Sequence, residues 1–184
     1  MLETKSRAEF RKWLEQHHDT ETECWLNVKR GRPINTDHFW YLDAVEESLC
    51  FGWIDSIQKI IGGVMMLRFT PRKKNSRWTE LNKERARRLE RLGLMTKAGR
   101  KVLPPMGCRS FRIDPEIEKT MKRARVWTKF NSFPKLYQRI RAYNVAFYKK
   151  RDTRMYQKAL SHLIEATRKG EMFGEWNDYG RLLE

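Results

Sequence analysis

Cysteine and histidine are scarce in this sequence, and that scarcity limits the chemistry it can support. Its three cysteines are odd in number, widely spaced and without a CxxC pair, so they predict neither a disulfide framework nor a zinc site. None of its four histidines has the HxxxH or HExxH spacing of a metal site. We therefore expect no bound metal, and the cysteine usage fits a reducing compartment such as the cytoplasm.

Long apolar runs are also missing. The longest, IIGGVMML at residues 60–67, is far shorter than the roughly 20 residues that a bilayer-spanning helix needs. Residues 1–16 alternate charged and apolar side chains and lack the apolar centre of a signal peptide. These features predict a cytoplasmic protein without a membrane span.

The common catalytic and cofactor motifs do not occur. The sequence has no GxGxxG, no GxxxxGK[ST] and no GxSxG pattern, so the usual nucleotide-binding and hydrolase templates are excluded. Glu46 and Glu47 are adjacent acids, but consecutive helix positions point about 100° apart, and we expect them on a solvated face. The sequence therefore favours a binding protein without a cofactor over an enzyme.

Positive charge is what the sequence has in excess. Among its 184 residues, 39 are Lys or Arg and 23 are Asp or Glu, which gives a net charge of +16. Residues 57–125 carry 20 of the basic residues and only six acids. Such a field attracts phosphates and nucleic acids. At 40% apolar and 12% aromatic residues, the composition is that of a folded globular protein.

Helix and strand patterns alternate in the first 105 residues. A capping box at Ser6 and Glu9 predicts a first helix, and alternation over residues 23–29 predicts a strand. A second helix is predicted from an N-cap at Thr36. Residues 53–71 hold two β-rich runs around a Gly-Gly pair, the composition of a two-residue hairpin turn.

This hairpin predicts a register. With Gly62 and Gly63 as the loop, the cross-strand pairs include Ile61–Val64, Ile57–Arg68, Asp55–Thr70 and Trp53–Arg72. Asp55 is then expected diagonally between Arg68 and Arg72, and Trp53 can stack on Arg72. The neighbouring cations Lys73, Lys74 and Arg77 are expected in a solvated turn.

A further helix is predicted after the hairpin, capped by Ser76 and ended by Gly93. Its apolar stripe is interrupted by Asn82 and Arg85, which lie three positions apart and are expected to point inward or into a cleft. Residues 104–115 hold three prolines and a glycine and predict a linker. The remaining sequence has helical periodicity.

The fold class that we predict is α+β. Residues 1–105 are expected to form a small antiparallel sheet with a central β-hairpin, packed by helices. Residues 106–184 are expected to form a helical C-terminal region, packed on this core or appended to it.

Two stretches carry a family resemblance. Residues 44–56 (AVEESLCFGWIDS) and 68–100 (RFTPRKKNSRWTELNKERARRLERLGLMTKAGR) closely resemble the bacteriocin-protection family known as YdeI or OmpD-associated proteins. The family's pattern runs Phe-Gly-Trp-Ile-Asp, Phe-Thr-Pro-Arg, Ser-x-Trp, Asn, Arg and Gly-x-Met at similar spacings. The resemblance covers about residues 8–105, and residues 169–183 are similar to the end of some members. It implies a bacterial protein linked to bacteriocin or antimicrobial-peptide stress, and it brings no catalytic residues.

The positions shared with that family form the candidate ligand-binding site. They are Trp53, Asp55, Arg68, Thr70, Arg72, Trp78, Asn82 and Arg85. The expected roles are anion binding for Arg68 and Arg72, orientation for Thr70 and Asn82, apolar walls for Trp53 and Trp78, and positioning of the arginines for Asp55. Arg85 would favour a pocket if it lies near the hairpin.

Three functions follow, in order of preference. The first is binding of a small anionic ligand or an acidic protein partner at the hairpin and the following helix. The second is nucleic-acid binding through the basic residues 57–125, with affinity that falls steeply with salt. The third is an enzyme acting on a nucleotide-like substrate, for which Asp55 is the one candidate base, and a weak one beside two arginines.

Overall fold

The computed structural model describes residues 4–35, 38–73, 76–107 and 111–183. The chain divides into two compact units. The first comprises residues 1–78 and 84–104, and the second comprises residues 79–83 and 105–184.

The fold is α+β, as predicted. The elements up to residue 104 are α1 (Arg7–His17), β1 (Cys24–Leu26), α2 (Tyr41–Cys50), β2 (Trp53–Ile61), β3 (Val64–Pro71), α3 (Glu80–Arg91) and α4 (Lys97–Lys101). The three strands form one antiparallel sheet in the order β1-β3-β2, with β2 and β3 as the central hairpin. The first residues of α3 belong to the second unit and the rest to the first.

A local signal explains where the first helix begins, but not where the second does. Ser6 caps α1, since its Oγ accepts a hydrogen bond from the Glu9 backbone N–H at 3.2 Å, which confirms this half of the predicted capping box. The predicted N-cap Thr36 lies outside the described residues, and α2 begins at Tyr41, later than expected. Nine of the ten α2 residues are buried, so this helix lies inside the first unit.

The register of the hairpin is only partly as predicted. Gly62 and Gly63 have φ values of 57° and 78°, and Ile61 pairs with Val64, which confirms the turn. A β-bulge between Asp55 and Gln58 then shifts the pairing by one residue. The observed pairs beyond the bulge are Asp55–Phe69, Ile54–Thr70 and Trp53–Pro71.

The predicted pairs Asp55–Thr70 and Trp53–Arg72 are therefore wrong, and Ile57, predicted opposite Arg68, lies within the bulge. The reason is that two residues of β2 lie opposite one residue of β3 at the bulge, and a one-residue shift moves side chains to the other face of a sheet. Asp55 thus shares a face with the buried Phe69 rather than with Arg68 and Thr70.

A close contact fixes α4 against the end of α2. A Cβ atom built on Gly99 would lie 2.2 Å from the backbone oxygen of Cys50, so no larger residue fits there without a backbone shift. Thr96 caps α4 by accepting from the Gly99 N–H, and its Oγ1 also donates to the Cys50 oxygen at 2.6 Å. These contacts hold the turn that leads from α2 into β2.

The second unit is helical, as predicted for the C-terminal region. It contains α5 (Pro115–Arg123), α6 (Trp127–Ser132), α7 (Lys135–Tyr148), α8 (Thr153–Lys169) and a 3-10 segment (Asp178–Leu183). Asp114 caps α5 by accepting from the Glu116 N–H at 2.9 Å, directly before Pro115. Aromatic residues fill its core, with Phe130 and Tyr137 fully buried.

Two general properties concern the described residues alone. None of their helices combines the length and the apolar composition needed to cross a bilayer. They also contain no group of three or more His, Cys, Asp or Glu side chains placed to hold a metal ion.

Candidate functional site

The site is built around Arg72, which directly follows β3. Its backbone N–H donates to the Gly52 oxygen at 2.8 Å and so extends the contact between the two chain segments by one residue. Gly52 itself has a φ of 77°, a conformation that favours glycine. The Arg72 side chain is only 7% exposed, so the backbone delivers a guanidinium group into the interior of the first unit.

The partners of this guanidinium are few and weak. Its central carbon lies 3.7 Å from the centroid of the Trp78 ring, a cation–π contact. Nη1 lies 3.4 Å from Ser76 Oγ and 3.5 Å from the Arg77 oxygen, both long for hydrogen bonds. Nε is buried and has no hydrogen-bond partner among the described residues. Carboxylates and phosphates bind guanidinium groups in a bidentate manner through the edge formed by Nε and Nη2. No described residue hydrogen-bonds to this edge of Arg72.

The electrostatics of Arg72 reflect this lack of partners. Burial lowers the pKa of Arg72 to about 10, and the charge of Asp55 opposes this shift without cancelling it. The side chain stays positively charged at neutral pH, because this pKa lies well above 7. Arg72 forms no ion pair with any residue that the structure describes.

Asp55 is engaged by a tyrosine that the sequence did not point to. The hydroxyl of Tyr41 donates to Asp55 Oδ2 at 2.9 Å. Burial and the nearby charge of Asp55 raise the pKa of Tyr41 to about 12, whereas Arg85 and Arg30 act in the opposite direction. The Arg30 guanidinium also lies 4.4 Å from the Tyr41 ring centroid. No sequence signal marked Tyr41, because only the fold brings α2 beside β2.

Two contacts and two electrostatic effects relate five residues, which we call the Arg72 cluster. The contacts are Tyr41 with Asp55 and Arg72 with Trp78, and the charges of Asp55 and Arg85 act on Arg72 and on Tyr41. Its members are Tyr41, Asp55, Arg72, Trp78 and Arg85. Arg72 and Arg85 are both 7% exposed, and Asp55 is the one carboxylate within the cluster. The buried charge that has no ion-pair partner among the described residues is that of Arg72, which is an arrangement suited to an anion.

The other predicted site residues have different surroundings. Trp53 is 1% exposed and donates from Nε1 to the His18 oxygen at 3.0 Å, so it lies in the core. Arg68 forms an ion pair with Glu23 at 3.3 Å and donates from Nε to Ser56 Oγ at 3.0 Å.

Thr70 and Asn82 complete the predicted set. Thr70 is half-buried and pairs with Ile54 in the sheet. Asn82 lies in residues 79–83, which belong to the second unit. Of the eight predicted residues, Arg72 and Trp78 are in contact, whereas Asp55 and Arg85 are related to the cluster through their charges.

The basic turn after β3 is partly described. Lys73 and Arg77 are exposed, as expected for a solvated turn, whereas Lys74 lies outside the described residues. Arg72 is the buried exception within this stretch of positive charge.

A second buried group of charges lies on α2, where the prediction of a solvated face is wrong. Glu46 and Glu47 are 0% and 1% exposed. Arg7 reaches both of them, with Nη1 2.8 Å from Glu46 and Nε 2.6 Å from Glu47. Arg11 binds Glu47 at 2.8 Å and Arg88 binds Glu46 at 3.1 Å. The error arose because these arginines come from distant parts of the chain, which a helix pattern does not reveal.

We call this group the α2 carboxylate network. It comprises Asp43, Glu46 and Glu47 with Arg7, Arg11 and Arg88. Burial acts to lower the pKa of Arg7, but Glu47, Glu46 and Asp43 outweigh it and the pKa is raised. Every carboxylate here has a guanidinium partner, which indicates a structural role.

Comparison with known proteins adds a family and no activity. A family model described as a domain of unknown function (DUF8412) matches residues 2–102. This match spans more than half of the chain and contains the whole Arg72 cluster. No curated protein and no solved structure matches the chain.

Proposed function

Because the chain belongs to the DUF8412 family, a family of unknown function, we propose a function from its own residues: it binds a small anionic ligand or an acidic partner at the Arg72 cluster. The observation that carries this proposal is the Arg72 guanidinium, which is buried and has an Nε without a partner in the described structure.

The energetic argument rests on what such a group costs. Burying an ionised side chain without an ion-pair partner costs on the order of several kcal/mol, because the charge loses its hydration. This cost lowers the stability of the fold. In return, the Arg72 guanidinium is already in position before a ligand binds. An oxyanion at Nε and Nη2 would supply the missing partner through charge-assisted hydrogen bonds.

The neighbours of Arg72 have separate tasks in this proposal. Trp78 covers one face of the guanidinium and fixes its plane. Tyr41 holds the Asp55 carboxylate by its hydrogen bond, so that Asp55 acts on Arg72 from beyond ion-pair distance. The ligand is therefore expected to bear a planar or tetrahedral oxyanion, a carboxylate or a phosphate.

The biological setting is proposed from the motif resemblance. The FGWID and FTPR stretches, which resemble the bacteriocin-protection family, contain Asp55 and Arg72. This supports a role for the bound anion in bacteriocin or antimicrobial-peptide stress, in the cytoplasm of a bacterium.

The test is a binding comparison between two arginine variants. Inorganic phosphate, citrate and adenosine monophosphate are titrated into the wild-type chain, Arg72→Gln and Arg68→Gln, with calorimetry and tryptophan fluorescence as readouts. Arg68→Gln is the matched control, because it removes the same charge from the same strand region but from a side chain that Glu23 already pairs. Loss of a charge-assisted hydrogen bond is expected to weaken binding about 10- to 100-fold in Arg72→Gln alone.

Two results would overturn the proposal. One is an anion that binds Arg72→Gln as tightly as the wild-type chain. The other is an equal weakening in both variants, which would mean that overall charge and not the Arg72 cluster determines affinity.

A further inference from the structure

An open cleft of about 640 Å³ lies within the second unit. The turn between α5 and α6, the helix α6 and the end of α8 form its walls. Three cations line it, namely Arg125, Lys129 and Arg168, together with the hydroxyls of Thr128 and Ser132. No acid is among the described residues that line this α6 cleft.

The walls of the cleft are fixed by backbone contacts. Arg125 has a φ of 59°, and its N–H donates to the Lys122 oxygen at 3.0 Å, which sets the turn from which its side chain leaves. Lys129 Nζ donates to the Arg168 oxygen at 2.8 Å and so ties α6 to the last turn of α8. Gly170, with a φ of 81°, ends α8 directly after this contact.

Part of this positive charge is available to a ligand. Arg125 forms no ion pair with any residue of the described ranges. Arg168 pairs with Glu165, but both side chains are more than half exposed, and such pairs contribute at most about 1 kcal/mol. An anion in the cleft can therefore recruit both arginines at little cost.

We infer that the α6 cleft binds the phosphate groups of a nucleic-acid strand, independently of the Arg72 cluster. Its cations come from three separate segments along an open surface, which suits a chain of phosphates better than one enclosed ligand. No aromatic side chain is among the described lining residues, so contacts to the backbone without base readout are expected. Residues 105–184 hold 18 basic and nine acidic residues, which adds long-range attraction.

This site differs from the basic segment 57–125, which was predicted to bind nucleic acid in the second of the three functions. Within that segment the structure pairs Arg68 with Glu23, Arg88 with Glu46, and Arg100 with Glu90. Paired cations release fewer counterions on binding and contribute less to affinity. Of the basic residues in that segment, the described lining of the cleft contains Arg125. Its other two cations, Lys129 and Arg168, lie outside the segment.

The experiment compares two exposed arginines of the second unit. A fluorescein-labelled 20-nucleotide single strand is titrated with the full chain between 50 and 300 mM salt, using wild type, Arg125→Gln and Arg154→Gln. Arg154 is exposed, lies in the first turn of α8 and does not line the cleft, and like Arg125 it forms no ion pair with a described residue. The two variants have equal net charge, so they differ only in position.

Arg125→Gln is expected to weaken strand binding about threefold to tenfold at low salt. It should also reduce the slope of log affinity against log salt by about 0.7, because one contact to a phosphate of a single strand contributes about that much. Arg154→Gln and Arg72→Gln are expected to keep the wild-type slope. A cleft variant that also changes the circular dichroism spectrum is replaced by Arg125→Lys, which keeps the charge and should restore the slope.

Three outcomes would overturn the inference. Equal losses in Arg125→Gln and Arg154→Gln would mean that net charge alone attracts the strand. Displacement of the strand by equal phosphate concentrations of adenosine triphosphate would assign the cleft to a small phosphorylated ligand. No strand binding at the lowest salt would remove the site. None of these results depends on the anion binding proposed at Arg72, which the Arg72→Gln variant reports separately.

Discussion

The first unit contains two groups of buried charges that are built in opposite ways. The α2 carboxylate network pairs three acids with three arginines at 2.6 to 3.3 Å. Arg72 is 7% exposed, close to the 0% of Glu46 and the 1% of Glu47. Unlike them, it forms no ion pair with a described residue. Burial is thus common to both groups, and only the presence of partners distinguishes them.

The pKa shifts express the same difference. Burial acts to lower the pKa of both Arg7 and Arg72. At Arg7 the surrounding carboxylates reverse the effect and raise the pKa, whereas at Arg72 the single charge of Asp55 leaves the pKa lowered to about 10. A buried charge is therefore a sign of function only where the fold has left it without compensation.

Removing an acid from the α2 carboxylate network tests its structural role. Glu46→Ala is expected to lower the free energy of unfolding by about 3–5 kcal/mol, since it deprives Arg7 and Arg88 of a buried partner. Urea denaturation measures the loss. Glu15→Ala is the control, because it removes the exposed partner of Arg11 and should cost less than about 1 kcal/mol.

A mild Glu46→Ala variant, close to Glu15→Ala in stability, would contradict the structural role of the network. The two groups of charges would then not differ in what they contribute to folding, and the contrast with Arg72 would lose its meaning.

Arg72→Met tests whether the charge of Arg72 contributes to stability. Methionine fills a similar volume against Trp78 and removes the uncompensated charge, so the free energy of unfolding is expected to stay the same or to rise by up to about 2 kcal/mol. Arg88→Met is the matched change in the network and is expected to lower stability by about 1–3 kcal/mol, because Glu46 loses a charged hydrogen bond. Thermal and urea denaturation compare the two variants.

The expected sign is what makes this pair decisive. If Arg72→Met lost more than about 2 kcal/mol, the guanidinium would be a structural element, and the argument for an anion site would lose its support.

The sequence predicted the hairpin well but not the details of its pairing. Gly62 and Gly63 marked the turn, and the register holds from Ile61 to Gln58. It fails at Asp55, because a bulge has no sequence signature as strong as a Gly-Gly turn. The face on which Asp55 lies could therefore not be predicted from alternation alone.

The candidate site was predictable only in part for a related reason. Arg72 and Trp78 both belong to the predicted set, although Trp53 rather than Trp78 was predicted to stack on Arg72. Tyr41 reaches Asp55 across 14 residues, and Glu46 meets Arg88 across 42 residues. Contacts at such separations are set by packing, and a single sequence without an alignment does not reveal them.

A smaller change in stability is expected for Tyr41, and it depends on pH. The folded state raises the pKa of Tyr41 from 10 to about 12, chiefly by burial and then by the charge of Asp55. A raised pKa means that the neutral hydroxyl contributes stability below pH 10 and that this contribution is lost as the pH rises from about 10 to about 12. Tyr41→Phe should therefore cost about 1 kcal/mol near neutral pH, through the lost hydrogen bond to Asp55, and this difference from the wild type should shrink above pH 10.

Urea denaturation of both proteins from pH 7 to 12 measures that difference, and other titrating groups cancel because the two chains share them. Tyr148→Phe serves as the control near neutral pH, since the Tyr148 hydroxyl makes no hydrogen bond with a described residue, and its effect on stability there should be small. A stability difference between wild type and Tyr41→Phe that stays constant up to pH 12 would contradict the raised pKa of Tyr41. The burial of its hydroxyl beside Asp55, on which the description of the Arg72 cluster depends, would then be wrong.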